Sequence, residues 1–282
     1  MKIFISSDIE GATGVATNHQ LTKNDEYQRF RKMMTNDVNA AIEGACEAGA
    51  TEILVADGHG NMSNIFIEEL DPRARLISGN NRLMCQMEGL DESFDGVFFI
   101  GYHGREGGSE KAVINHTLAG ICVWEIKING QPAGEAEMNA ALAGHFNVPV
   151  LLISGDDAVA EEVKKNLPRI ETAVVKRGLD RIAADLMPPL QSAELIKEKA
   201  RKSVKRIGEI KPFKTALPVI FEITFKRTNQ AYMTTTIPGV DLISPKTIRF
   251  TCEDYVTAYK LMWGCVIIGM ASTDGVLGRV NA

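Results

Sequence analysis

Three apolar runs constrain this chain most: TEILVAD (51–57), GVFFIGYH (96–103) and VPVLLIS (148–154). Each is rich in Val, Ile, Leu or Phe on both faces, which suits strands buried on both sides rather than strands with a wet face. A fourth run, KIFIS (2–6), opens the chain. Between them lie stretches with helical patterning: residues 24–49, starting near Asn24 or Asp25 and stopping at Gly49, then GEAEMNAALAGHF (134–146) and AVAEEVKKNL (158–167). Buried strands alternating with helices predict an α/β fold with a mainly parallel or mixed sheet and helices on both faces. ETAVVKR (171–177) adds a strand, NIFIEEL (64–70) a short helix, ARLIS (74–78) a short strand, and AVINH (112–116) and GICVWEIKING (120–130) a strand pair, the second closed by the Asn129–Gly130 turn.

MPPL (187–190) breaks this pattern. Beyond it come a charged helix (192–208), strands at LPVIFEITFKR (217–227) and TIRFTC (247–252), and a terminal helix from about 253. The expected division is an α/β metal-binding domain over 1–190 and a smaller C-terminal α+β domain over 191–282. LMWGCVIIGMA (261–271) is too short to span a bilayer and reads as a core helix. The basic run KEKARKSVKR (197–206) reads as the solvated face of an amphipathic helix.

A net charge of −5 gives no electrostatic argument for nucleic acid or an anionic membrane as partner. The five cysteines, Cys46, Cys85, Cys122, Cys252 and Cys265, are odd in number and form no close pair. They fit reduced thiols better than a disulfide framework or a zinc finger. A strand that starts at residue 2 leaves no signal peptide, so the expected location is cytoplasmic.

Ligands of open α/β sheets bind beyond the carboxyl ends of the strands. Acids and histidines collect there. The first strand ends in Asp8 and Glu10, the second in Asp57 and His59, the third in His103; AVINH ends in His116, and Glu135 opens a helix. Residues i and i+2 of a strand share a side, so Asp8 and Glu10 can reach one site together. Asp8, Glu10, His59, His103 and Glu135 form an oxygen and imidazole donor set suited to zinc or another divalent ion. Five ligands exceed the needs of one four-coordinate ion and serve two if a carboxylate bridges them, the arrangement used by two-metal hydrolases. Asp156 and Asp157 also stand at a strand end, where capping the next helix accounts for them.

SSDIEGATG, ADGHGNMSN, LISG with MEGLD, FFIGYHGR, INHT, INGQPAGEAEMNA and VPVLLISGDD together resemble, in order, the DppA-type zinc-dependent D-aminopeptidases, peptidase family M55. The resemblance runs from about residue 1 to about 275. It implies a binuclear zinc site on the same five residues, and His116 as a catalytic residue near the metals acting as base or nucleophile; an imidazole there can serve as proton shuttle, since it accepts and returns a proton near neutral pH. It further implies hydrolysis of the N-terminal residue of short peptides or amino acid amides, D-residues included. It also implies a two-domain subunit and a homodecamer of two stacked pentameric rings. Gly58 and Glu137 depart from the family pattern, and Glu137 is expected to face solvent on its helix. The rival readings are a metallophosphoesterase-like hydrolase and a non-enzymatic, metal-stabilised partner-binding protein. INHT only half resembles a phosphoesterase signature.

Overall fold

The computed structural model describes residues 1–22 and 25–273. The elements in chain order are β1 (Lys2–Ser7), α1 (Asp25–Glu47), β2 (Glu52–Asp57), β3 (Ala74–Ile77), β4 (Gly96–Tyr102), β5 (Val123–Ile128), β6 (Gln131–Pro132), α2 (Glu135–His145), β7 (Val150–Asp156), α3 (Asp157–Lys164), β8 (Glu171–Asp180), β9 (Ala183–Leu186), α4 (Pro189–Lys205), β10 (Val219–Phe225), α5 (Thr228–Thr234), β11 (Asp241–Ser244), β12 (Thr247–Cys252) and α6 (Tyr255–Ala271). The expected start of α1 at Asn24 lies outside the described residues; its stop at Gly49 is met by a residue with φ +98°.

Seven strands form one sheet in the order β3-β2-β1-β4-β7-β8-β9. All pair in parallel except β8 with β9. The chain builds outward from β1 to β3, returns to β4 beside β1, and builds outward the other way. The strand order therefore reverses between β1 and β4, the point where such sheets open a crevice. Alternate residues of these two strands feed opposite cores: Ile3, Ile5, Phe98 and Ile100 face the layer holding α1 and α4, while Phe4, Val97 and Phe99 face the other side. That other side is filled by α2, α6 and a five-stranded antiparallel sheet in the order β11-β12-β10-β5-β6. Both sides of residue 190 contribute to both layers. The hairpin β5–β6 joins the second sheet, and α4 packs on α1 and β8. The hairpin turns through Asn129 and Gly130, both at positive φ, as the Asn-Gly pair requires.

Two expected elements are absent for a local reason. Over 64–70 the amides of Asn64 and Ile65 donate to the Asp57 carboxylate instead of starting a helix. Over 112–116 no strand forms: Val113 N–H donates to Asp156, Ile114 N–H to the carbonyl of Arg181, and Ile114 sits at φ +50°. The basic face of α4 pairs with acids. Lys197 reaches Glu43 and Glu47 on α1, and Lys199, Lys202 and Arg206 converge on Glu171. No helix among the described residues is long and apolar enough to cross a membrane.

The turn after β1 lies against β4 closely enough to exclude side chains. Gly101 has φ +75°, and a Cβ there would stand 2.2 Å from the carbonyl oxygen of Asp8. Gly101→Ala is expected to cost at least about 2 kcal/mol through the left-handed backbone and the clash together. Urea unfolding reads this directly, and an unchanged midpoint would show that the turn yields freely.

Candidate metal centre

Asp8 directly follows β1, and its N–H continues the sheet by donating to Ile100 O at 2.8 Å. Glu10 lies two residues on, His59 in the loop after β2, His103 directly after β4, and Glu135 on the first turn of α2. These segments converge at the crevice between β1 and β4. His59 Nδ1 is 3.0 Å from the Glu10 carboxylate and 3.5 Å from Asp8 Oδ1. His103 Nε2 is 3.3 Å from Glu135 Oε1 and 3.5 Å from Asp8 Oδ2. All five sequence-predicted donors are thus brought together. Asp8, Glu10, His103 and Glu135 are at most 4% exposed.

The donor atoms fall into groups whose members lie within 4.8 Å of one another: Asp8, Glu10 and His59; Asp8, His103 and Glu135; and Glu10, His103 and His116. Asp8 belongs to the first two. His103 Nδ1 faces Gly104 O at 3.0 Å. With Nδ1–H donating there, Nε2 is the ring nitrogen that faces the carboxylates, and it can bind a cation on giving up its proton. Nε2 is buried and has no hydrogen-bond partner. A buried nitrogen of this kind, among three carboxylates and no sulfur, fits a divalent ion of the zinc class.

Neighbouring groups fix the carboxylates. Glu135 Oε1 accepts from Leu118 N–H at 2.7 Å, and Oε2 from Gln86 Nε2 at 2.5 Å. Gly58 leaves room for this: a Cβ there would meet Gln86 Cβ at 2.9 Å and Ser7 O at 2.7 Å. Asn64 donates to the carbonyl of His59 and to Asp57, tying the His59 loop to the end of β2. Glu137 does not face solvent. It is 5% exposed, and its carboxylate accepts from Gly134 N–H at 2.9 Å, capping α2 in the same first turn as Glu135. Asp156 caps α3 by accepting from Val159 N–H, as expected.

His116 lies on a loop, not at a strand end. Its ring stacks on that of His103, with centroids 4.1 Å apart and planes at 10°. Nδ1 faces Ile114 O at 2.8 Å, and Nε2 stands 3.7 Å from Glu10 Oε1. Asp8, His59, His116 and Glu135 border a cavity of about 200 Å³ whose other walls include Met62, Leu118, Ile121, Trp263 and Met270. A larger hollow of about 440 Å³ between 166–170 and 209–214 holds no histidine or cysteine and lies apart from this chemistry.

The chain matches the family model Peptidase M55, described as D-aminopeptidase, over residues 1–264. It belongs to the M55 D-aminopeptidase family. A D-aminopeptidase of Bacillus subtilis (strain 168) is 34% identical over 264 residues, covering 93% of this chain and 95% of that one. The solved structure of the Zn-dependent D-aminopeptidase DppA from Bacillus subtilis, described as a self-compartmentalizing protease, superposes with a TM-score of 0.92 at 33% identity, covering 96% of this chain and 98% of that one. Gln86 and Lys176, which hold Glu135 and the main chain of Glu10, carry no local sequence signal: Gln86 only precedes MEGLD, and Lys176 sits within an otherwise ordinary strand.

Charge at this M55 centre is held by protons in the ion-free protein. Burial disfavours the charged imidazole of His59, but Glu10 and Asp8 outweigh it and carry its pKa up to about 10. Burial likewise opposes charge on His103, and Glu135 and Asp8 prevail, raising it well above the ordinary value. Burial pushes the Asp8 carboxyl up, yet His103 and His59 hold it well below the usual range. Both imidazoles therefore keep their protons through neutrality, and a cation has to displace them. Divalent-metal affinity is expected to rise with pH toward about 10, where His59 loses its proton, and to fall on acidification, with protons released on binding. Calorimetry in buffers of different ionisation enthalpy measures this; metal uptake without proton release would contradict it.

Proposed function

We propose that this chain is a dinuclear zinc aminopeptidase that removes the N-terminal residue, D-residues included, from short peptides or amino acid amides. The observation that carries the reading is Asp8, whose carboxylate belongs to two donor groups at once. Asp8, Glu10 and His59 would hold one ion; Asp8, His103 and Glu135 would hold the other. When bound, the ions supply Lewis acidity, which polarises an amide carbonyl and acidifies water. The three carboxylates fix the charge of the centre, and Gln86 and the Leu118 amide hold Glu135 in one orientation.

His116 moves the proton. Its Nδ1 is tied to Ile114 O, so Nε2 is the atom left at the cavity, beside Glu10. There it takes a proton from the attacking water and returns it to the leaving amine. The apolar wall of Met62, Leu118, Ile121, Trp263 and Met270 receives the substrate's side chain and keeps bulk water out. The subunit assembles as a homodecamer that encloses its active sites. It works in the cytoplasm, in keeping with free thiols at all five cysteines.

Elemental analysis should find close to two zinc ions per chain, and His103→Ala or Glu135→Ala should lower that number; unchanged content in both would refute the ligand assignment. His116→Ala should keep both ions and the melting temperature while kcat for a D-aminoacyl amide falls roughly 10²–10⁴-fold. Full activity in a folded, metal-loaded His116→Ala would remove it from the mechanism. Light scattering after size exclusion should return about ten subunits, and a monomer would refute the enclosed assembly.

A further inference from the structure

Lys176 is a lysine on β8 that is only 2% exposed. Among the described residues, no carboxylate forms an ion pair with its ammonium. Its hydrogen bonds run to three main-chain carbonyls of one loop: Glu10 O at 2.5 Å, Val15 O at 2.7 Å and Ala12 O at 3.0 Å. An ammonium has three N–H donors, and all three are spent here. Burial pushes the ammonium's pKa down to about 8, against the negative potential of Asp156, Asp37 and Glu10 around it. Carbonyl oxygens converging on one cation are the kind of cage that proteins build for hard metal ions.

The caged loop is the one that carries Asp8 and Glu10. It is buried from Asp8 to Thr13, where carbonyls without a partner would be costly. α1 grips it from a second direction: the Asp37 carboxylate accepts from both Thr13 N–H and Thr13 Oγ1, each at 2.8 Å. β4 fixes its near end through Gly11 N–H on Gly101 O at 2.8 Å. Lys176 alone among these contacts binds Glu10 itself. The main chain of Glu10 is held by the ammonium while its carboxylate faces His59 and His116.

We propose that Lys176 is the positioning residue of the metal-ligand loop: an internal cation whose carbonyl cage fixes where Asp8 and Glu10 stand and so sets the zinc affinity of the centre. This inference rests on the metal-ligand reading above. A lysine that merely fills a hole would affect stability and leave the affinity of folded protein alone. A lysine that positions ligands would affect affinity in protein that is still folded.

The test measures zinc affinity by competition with a chelator, melting temperature, and kcat with KM, on the unaltered chain, Lys176→Met and Lys176→Ala. Lys176→Met keeps the stem's bulk and removes the charge. It is expected to weaken zinc binding about 10–100-fold in folded protein, the usual scale for a group that orients a metal ligand, and to lower kcat more than it raises KM. Lys176→Ala should regain zinc affinity with added n-propylammonium, which supplies the deleted atoms. Tetramethylammonium, with the same charge and no N–H, should not restore it. Unchanged zinc affinity in folded Lys176→Met would overturn the inference. So would rescue by both cations alike. Failure of both variants to fold even with zinc and n-propylammonium would make Lys176 a folding residue and overturn it too. Absence of zinc binding by the unaltered chain would instead overturn the metal reading, and this inference with it.

Discussion

Asp8, Glu10 and Glu135, three carboxylates at most 4% exposed, converge on one small volume, and their mutual repulsion is what the surrounding fold has to contain. Burying like charges together is unfavourable without compensation. The compensation comes from several directions. The strand-order reversal between β1 and β4 brings their carboxyl ends side by side, so the residues that follow them, Asp8 and His103, meet. The start of α2 presents Glu135 where the helix dipole favours an anion. Imidazoles from the loops after β2 and β4 supply the opposing charge in the ion-free protein, and they are the groups a cation would relieve of protons.

The second layer reaches the same carboxylates through a buried polar chain. Tyr259 on α6 donates to Asn139 Oδ1 at 2.7 Å, and Asn139 Nδ2 donates to the hydroxyl of Tyr102 at 2.8 Å. That hydroxyl meets Ser6 Oγ at 2.8 Å, and Ser6 donates to the carbonyl of Gln86, whose side chain binds Glu135. A buried network of linked hydrogen bonds favours one arrangement of its elements, and here only Gln86 Oε1 among its described atoms is left without a partner. Here it ties the last helix, α2, the two central strands and the Glu135 carboxylate together. The same helix lends Trp263 and Met270 to the cavity wall, so the two layers meet at the site as well as in the core.

Much of this was legible in the chain because strands announce themselves by apolar runs and end where polar residues begin. β1, β2, β4 and β7 fall on those runs, and Asp8, His59 and His103 fall within two residues of their ends. The two missing elements share one cause: an acceptor outside the segment takes the amides that a regular element needs. Asp156, 43 residues away, and Arg181 hold the backbone around 112–116, so His116 sits on a loop rather than at the end of a strand. Glu137 looked like a solvent-facing helix residue, whereas the Gly134 amide draws it inward. Gln86 and Lys176 carry no local pattern at all. Their surroundings exist only after the chain has folded, since Lys176 binds a carbonyl 166 residues earlier.

That separation has a consequence for how the protein is made. Asp8 and Glu10 leave the ribosome first, Glu135 follows after more than a hundred residues, and the lysine that cages their loop comes later still. Trp263 and Met270, which wall the cavity, are among the last described residues to appear. A nascent chain therefore cannot offer all five donors to cellular metal until Glu135 has emerged. The walls that would shelter a substrate arrive more than a hundred residues after Glu135, so a chain that still lacks them has no enclosed site in which to act.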